Sequence, residues 1–201
     1  MTQILGFIVF MAGVLTPALA ETPPALAEAR KISGRYLGRW TVYGLERGEL
    51  VVKTKWSDTL TAGDARLEGG RAVVDVTTQM TFIDGSQRTL QFREGYFLLP
   101  DGSAGERFIE NQGQVTLVKR LSPNDWALQT VPQPEELRFL GFDPSIVLSA
   151  SHVTTKTTTY KGAVDTDHVA RFTTVQWKNT ATGAIETTQF LSMIGVHKRI
   201  Q

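Results

Sequence analysis

Val73 to Leu99 reads VVDVTTQMTFIDGSQRTLQFREGYFLL, and its alternation sets the architecture. Val74, Val76, Thr78, Met80 and Phe82 are interleaved with Asp75, Thr77, Gln79 and Thr81. A period of two puts the first set on one face of a strand and the second on the other. Asp84-Gly85 follows, and both residues tolerate positive φ, so the chain can reverse there in a tight hairpin. The return strand, Arg88 to Leu99, carries Leu90, Phe92, Tyr96 and Leu98 on one face, together with Arg88 and Glu94. Pro100-Asp101-Gly102 is again turn chemistry.

The same grammar extends in both directions. Downstream, Gly105 to Glu110, Val115 to Leu121 and Trp126 to Val131 read as short strands. Asn111-Gln112-Gly113 and Ser122-Pro123-Asn124-Asp125 separate them. Three longer strands follow, over Ile146 to Tyr160, His168 to Lys178 and Ile185 to Ile194, with turns at Lys161-Gly162 and Asn179 to Gly183. Upstream, Leu37 to Tyr43 and Leu50 to Trp56 flank a turn holding Gly44 and Gly48. Leu50, Val52 and Trp56 are expected on one face. Asp58 to Leu67 is a weaker strand. The β-branched run Thr154 to Thr159 reads as ordinary strand. Pro132 to Phe142 is the one interruption, where Pro134-Glu135-Glu136 can open a short helix across an end of the sheet.

Short strands in close succession, with no long helix between them, predict an all-β chain of antiparallel hairpins. About eight to ten strands must either close into a barrel or stack as two sheets. The hairpin-after-hairpin order favours a meandering β-barrel.

The ends of the chain carry separate signals. Residues 1–20, MTQILGFIVFMAGVLTPALA, have no charged side chain, an apolar run from Ile4 to Leu15, a break at Pro17, and the small-x-small triplet Ala18-Leu19-Ala20. This is the layout of a cleaved signal peptide, which predicts a mature chain starting at Glu21 in the periplasm or outside the cell, with no stable membrane insertion after cleavage. Residues 21–34 form a lead-in that can hold a helical turn or two. Residues 35–201 form a single domain.

The chain has 201 residues, no cysteine, and 21 Lys+Arg against 20 Asp+Glu, a net charge of +1. Absence of cysteine excludes a disulfide framework, a thiol nucleophile and zinc–thiolate sites. Near-neutral charge supplies no field for nucleic acid. The mature chain is long enough to bury a core without staples.

Gly38-Arg39-Trp40, within Tyr36 to Gly44, resembles the G-x-W signature on the first strand of lipocalins and other calycin-type barrels. The resemblance is to a bacterial lipocalin-like relative rather than to a true lipocalin: the second, T-D-Y-type motif is not evident, and Val164-Asp165-Thr166-Asp167-His168 is only a loose echo. The resemblance implies that Trp40 plugs the closed end of the barrel. It also implies that a basic residue near the end of the last strand, Lys198 or Arg199, packs on its ring as a cation–π partner. The interior would then hold a hydrophobic or amphipathic small molecule. Met80, Phe92, Tyr96, Phe172 and Phe190 are the expected pocket residues, because they are aromatic or soft apolar positions on strand faces.

Catalytic chemistry has weaker footing. No G-x-S-x-G occurs, and the cluster Ser145, Ser149, Ser151 and His152 spans both faces of one strand. His152, His168 and His197 show no metal-ligand spacing, so they are expected at the surface, with no metal and no cofactor. Asp75, Glu94, Glu106 and Glu110 are the carboxylates available for acid–base work. An isomerase or hydrolase using His152 or His168 with a carboxylate is the alternative function. An envelope protein-interaction module pairing through a sheet edge is another.

Overall fold

The computed structural model describes residues 22–200. The signal-peptide reading of residues 1–20 lies outside the described residues. The elements are α1 (Pro24–Arg30), β1 (Gly34–Glu46), β2 (Glu49–Ala62), β3 (Arg66–Glu68), β4 (Arg71–Phe82), β5 (Gln87–Leu98), β6 (Ala104–Asn111), β7 (Gln114–Arg120), β8 (Asp125–Thr130), α2 (Pro134–Leu140), β9 (Val147–Lys161), β10 (Ala163–Lys178) and β11 (Ile185–Arg199).

The sheet closes on itself. β4 to β11 follow one another as neighbours, β11 pairs with β1, β1 with β2, and β2 with β4, every pair antiparallel. The result is a ten-stranded barrel in which only the three-residue β3 stands outside the ring, pairing with the start of β4 beyond the end of β2. Closure pairs every ring strand on both sides, although β7 and β8 meet over only two residue pairs. The closing register runs from Tyr36↔Arg199 to Val42↔Met193 on one side, and from Trp56↔Phe82 to Ala62↔Val76 on the other.

Register decides which residues face inward. Val74, Val76, Thr78, Met80 and Phe82 stand opposite the β5 set Glu94, Phe92, Leu90 and Arg88 and the β2 set Ala62, Leu60, Asp58 and Trp56. The alternation read from β4 and β5 therefore describes the inner wall. In β2 a bulge corrects the expectation. Val42 pairs with Thr54 but Tyr43 with Val52, so Lys53 is the extra residue. The bulge reverses the alternation. Leu50 and Val52 end up exposed on the outside while Trp56 faces in. The weak strand expected from Asp58 is the far half of β2, which runs unbroken to Ala62.

The two helices sit at opposite ends. α1 has proline in its first turn, where a missing N–H costs nothing, and two alanines one turn apart. Those alanines are fully buried with Ile32, Tyr36, Val74, Tyr96, Trp126 and Val164. The lead-in is thus the core of one barrel end. Ala25 N–H donates to Gly102 and the Lys31 carbonyl accepts from Val164. α2 starts at proline with Glu135 and Glu136 in its first turn. It ends at Gly141, in the left-handed region at φ 99°, where Phe142 N–H bonds back to the Leu137 carbonyl. A Cβ at Gly141 would collide with the Leu45 carbonyl, so α2 lies tightly against the far end of β1.

Candidate functional site

The inner wall is apolar and charged at once. Along its waist Trp40 stacks on Trp56 at 5.6 Å, nearly parallel, and Trp56 meets Phe82 at 5.7 Å. Trp40 Nε1–H donates to Asp58 Oδ2 at 2.9 Å, and Asp58 Oδ1 lies 2.9 Å from His197 Nε2. Glycines make room for this group. A Cβ at Gly38 would strike Asp58 and His197, and one at Gly195 would strike the Trp40 ring.

Towards α1, the interior holds two ion pairs. Lys156 Nζ lies 2.6 Å from Asp167, which also accepts from Thr158 Oγ1. Burial opposes the Asp167 charge, but Lys156 and these hydrogen bonds outweigh it and hold its carboxyl below the usual range. Arg107 Nη2 donates to Glu94 Oε2 at 3.1 Å. Burial works against Arg107 too, and Glu94 reverses that, so its guanidinium is held protonated more firmly than usual. Tyr36 and Tyr96 lie beside this group, and burial pushes both phenols up to about 12.

Towards α2, His152 Nδ1 lies 2.8 Å from Thr173 Oγ1, whose proton goes to Ser192 Oγ. With that proton committed, Nδ1 is the donor. His152 Nε2 lies 3.1 Å from Glu136 but out of line for a hydrogen bond. Arg171 Nη1 donates to the same Glu136 oxygen at 3.0 Å. A histidine that donates to a hydroxyl cannot take that hydroxyl's proton, and His152, Thr173 and Ser192 are all closed off from solvent. This is a structural network tying α2 to the barrel end.

Among the hollows of the described residues, two reach small-molecule size. One, of about 830 Å³, follows the waist of β9, β10, β11, β1, β2 and β4, and is open to solvent. Most of its lining, including Thr41, Lys55, Thr155, His168, Ala170 and Ile194, lies on the outer face of these strands, and the inward Trp40, Trp56, Phe82 and Val169 border it from between those positions. The other, of about 770 Å³, is a cleft between α1 and the ends of β5 to β9, lined by Tyr96, Arg107, Arg120, Trp126 and Tyr160 among others.

No protein-family model matches the chain, and no curated protein matches its sequence.

The expected site residues scatter. Tyr96 lines the α1 cleft. Met80, Phe92 and Phe190 face inward; Met80 stands opposite Asp58, Phe92 packs on the core at the α1 end, and Phe190 stacks on Phe142 near α2. None of the three lines either hollow. Phe172 points outward, 42% exposed, because its register partners Val153 and Leu191 share the outer face. Trp40 sits at the waist rather than at the closed end, and Arg199 packs on a different ring. Its guanidinium lies 5.7 Å over Tyr36 and donates to the Ser33 carbonyl at 2.7 Å. Tyr36 lies two inward positions nearer α1 than Trp40 and stands opposite Arg199 in the register, which is why it receives the cation.

The histidines also depart from expectation. His152 and His197 are buried, and only His168 is exposed. No carboxylate lines the waist hollow beside His168. Among the described residues, no cluster of His, Asp and Glu is arranged to hold a metal ion. Of the four carboxylates, Glu94 alone is buried inside, while Asp75 is engaged on the surface with Arg66 and Arg93. Trp56, Arg107 and Trp126 were not singled out from sequence. Arg88 and Glu94 among the apolar residues of one strand face were the signs that charge enters the inner wall.

Proposed function

We propose that the protein is an exported, lipocalin-like carrier, periplasmic or secreted, that takes up a hydrophobic or amphipathic small molecule inside the barrel, at the waist. The aromatic ladder of Trp40, Trp56 and Phe82 carries this reading. These rings face inward yet stay partly accessible. The G-x-W start and the closed meander support the lipocalin-like kinship. Apolar burial against the ladder supplies the drive, about 25 cal/mol per Å² before ordering costs.

The test uses Nile red, a neutral environment-sensitive dye. The mature protein binds it saturably, a lipid extract displaces it, and Trp56→Ala weakens it by about tenfold, the loss of one large aromatic contact. Protein recovered from the envelope of its own host starts at Glu21 and carries a bound small molecule by native mass spectrometry. Absence of saturable dye uptake removes the carrier reading, and a retained residue 1–20 removes export.

A further inference from the structure

The cleft beside α1 shares no lining residue with the waist hollow. Arg107 and Trp126 line it and are 4% and 6% exposed. Two guanidiniums lie over the Trp126 ring, Arg107 with Cζ at 4.9 Å from the centroid and Arg120 at 5.3 Å. Each of the two buried residues keeps an N–H without an acceptor: Arg107 Nε and Trp126 Nε1. Guanidinium and indole nitrogens only donate. A buried donor left unmet costs about 1–3 kcal/mol, and here two stand on facing residues of one cleft.

Charge points the same way. Glu94 already offsets Arg107. Arg120 donates to the Ser122 and Pro123 carbonyls, neutral acceptors, and no carboxylate pairs with it among the described residues. Of the other charges on the lining, Lys31 pairs with Glu28, and Lys119 is matched in number by Glu106, so the cleft has donors in excess and a net surplus of one positive charge. A neutral ligand would leave both unmet. A dianionic phosphate would bring more negative charge than Arg120 balances. Ala104, Val118 and Tyr160 provide an apolar wall next to the donors.

We propose that this cleft binds a small carboxylate-bearing amphiphile, its carboxylate accepting from Arg107 Nε and Trp126 Nε1 beside Arg120, its apolar body lying against Val118 and Tyr160. The site stands independently of the waist hollow.

Calorimetric titration of the full chain with octanoate, octan-1-ol and acetate tests it. Octanoate saturates one site about tenfold more tightly than either of the others, as expected for a charge-assisted contact combined with a buried chain. Trp126→Phe keeps a ring and removes the N–H, and lowers octanoate affinity by about tenfold. Arg120→Gln, at an exposed position that leaves the barrel intact, lowers it by about threefold. Far-UV circular dichroism of both variants stays at the wild-type spectrum, which verifies that they are folded. Trp56→Ala leaves octanoate affinity unchanged, so failure here and failure of the carrier reading are read separately. Equal affinity for octanoate and octan-1-ol, or wild-type affinity in Arg120→Gln, overturns the proposal. Acetate binding as tightly as octanoate removes the amphiphile and leaves a plain anion site.

Discussion

Gly38 and Gly195 show what single residues contribute. Both lie on the inner face, and in both the missing Cβ is the space another group occupies: Asp58 and His197 over Gly38, the Trp40 ring over Gly195. Asp58 can therefore accept from Trp40 and contact His197 across the strand between them. Gly38→Ala and Gly195→Ala should each destabilise the fold by about 1–3 kcal/mol or more, because a close-packed wall must shift to admit a methyl group. Gly63→Ala is the control. Its nearest neighbour would lie at ordinary contact distance, 3.6 Å, and urea unfolding should detect little change. Loss of stability equal across all three would mean that contact of the added methyl group with Asp58, His197 and Trp40 does not set the cost, since the lower unfolded-state entropy of alanine acts in the stabilising direction.

Among elements, the wall of the barrel is uneven. β9 and β10 pair from Ala163↔Lys161 to Trp177↔Val147, whereas β7 and β8 pair only at Lys119↔Ala127 and Arg120↔Trp126. Beyond that short bridge, the amides of β7 facing β8 have no ladder to protect them. Local opening follows the weakest ladder. Hydrogen exchange in Gln114 to Val118 should be at least about tenfold faster than in Thr154 to Thr158. Equal protection in the two segments would show that the β7–β8 seam opens only with the whole barrel. The seam borders the α1 cleft through Val118 and Trp126, so it is also the side from which that cleft can widen. The helices work in the opposite sense. α1 fills one end with alanines, and α2 is held at the other by Glu136 on Arg171 and by Phe142 on Phe190.

For the whole molecule, closure produces an interior that is shared by aromatic rings and paired charges. One consequence is a pH dependence set by Tyr36 and Tyr96. Burial raises both phenols from 10.0 to about 12 in the folded chain. The unfolded chain ionises first as pH rises, so the stability tied to the neutral phenols is complete below about pH 10 and is lost between 10 and 12. Equilibrium unfolding across this window should show the loss, and Tyr36→Phe should reduce it. An unchanged midpoint from pH 9 to 12 would show that neither phenol is desolvated as the fold requires.

Local pattern determined the strands of this protein. The period of two along β4 and β5, the turn at Asp84-Gly85 and the proline-led helix before β9 follow from side-chain alternation and backbone preference, which act over a few residues and can be read in order. The meander also follows, since adjacent hairpins are the cheapest way to join neighbouring strands. The tertiary structure alone decided the rest. The bulge at Lys53 turned Val52 out and Trp56 in, register put Phe172 on the outer face, and closure placed His197 against Asp58 and Arg199 over Tyr36. The last two contacts join residues more than a hundred positions apart in the chain, His197 with Asp58 and Arg199 with Tyr36. Their energy comes from desolvation and packing inside a closed wall, and neither exists until the first strand has met the last.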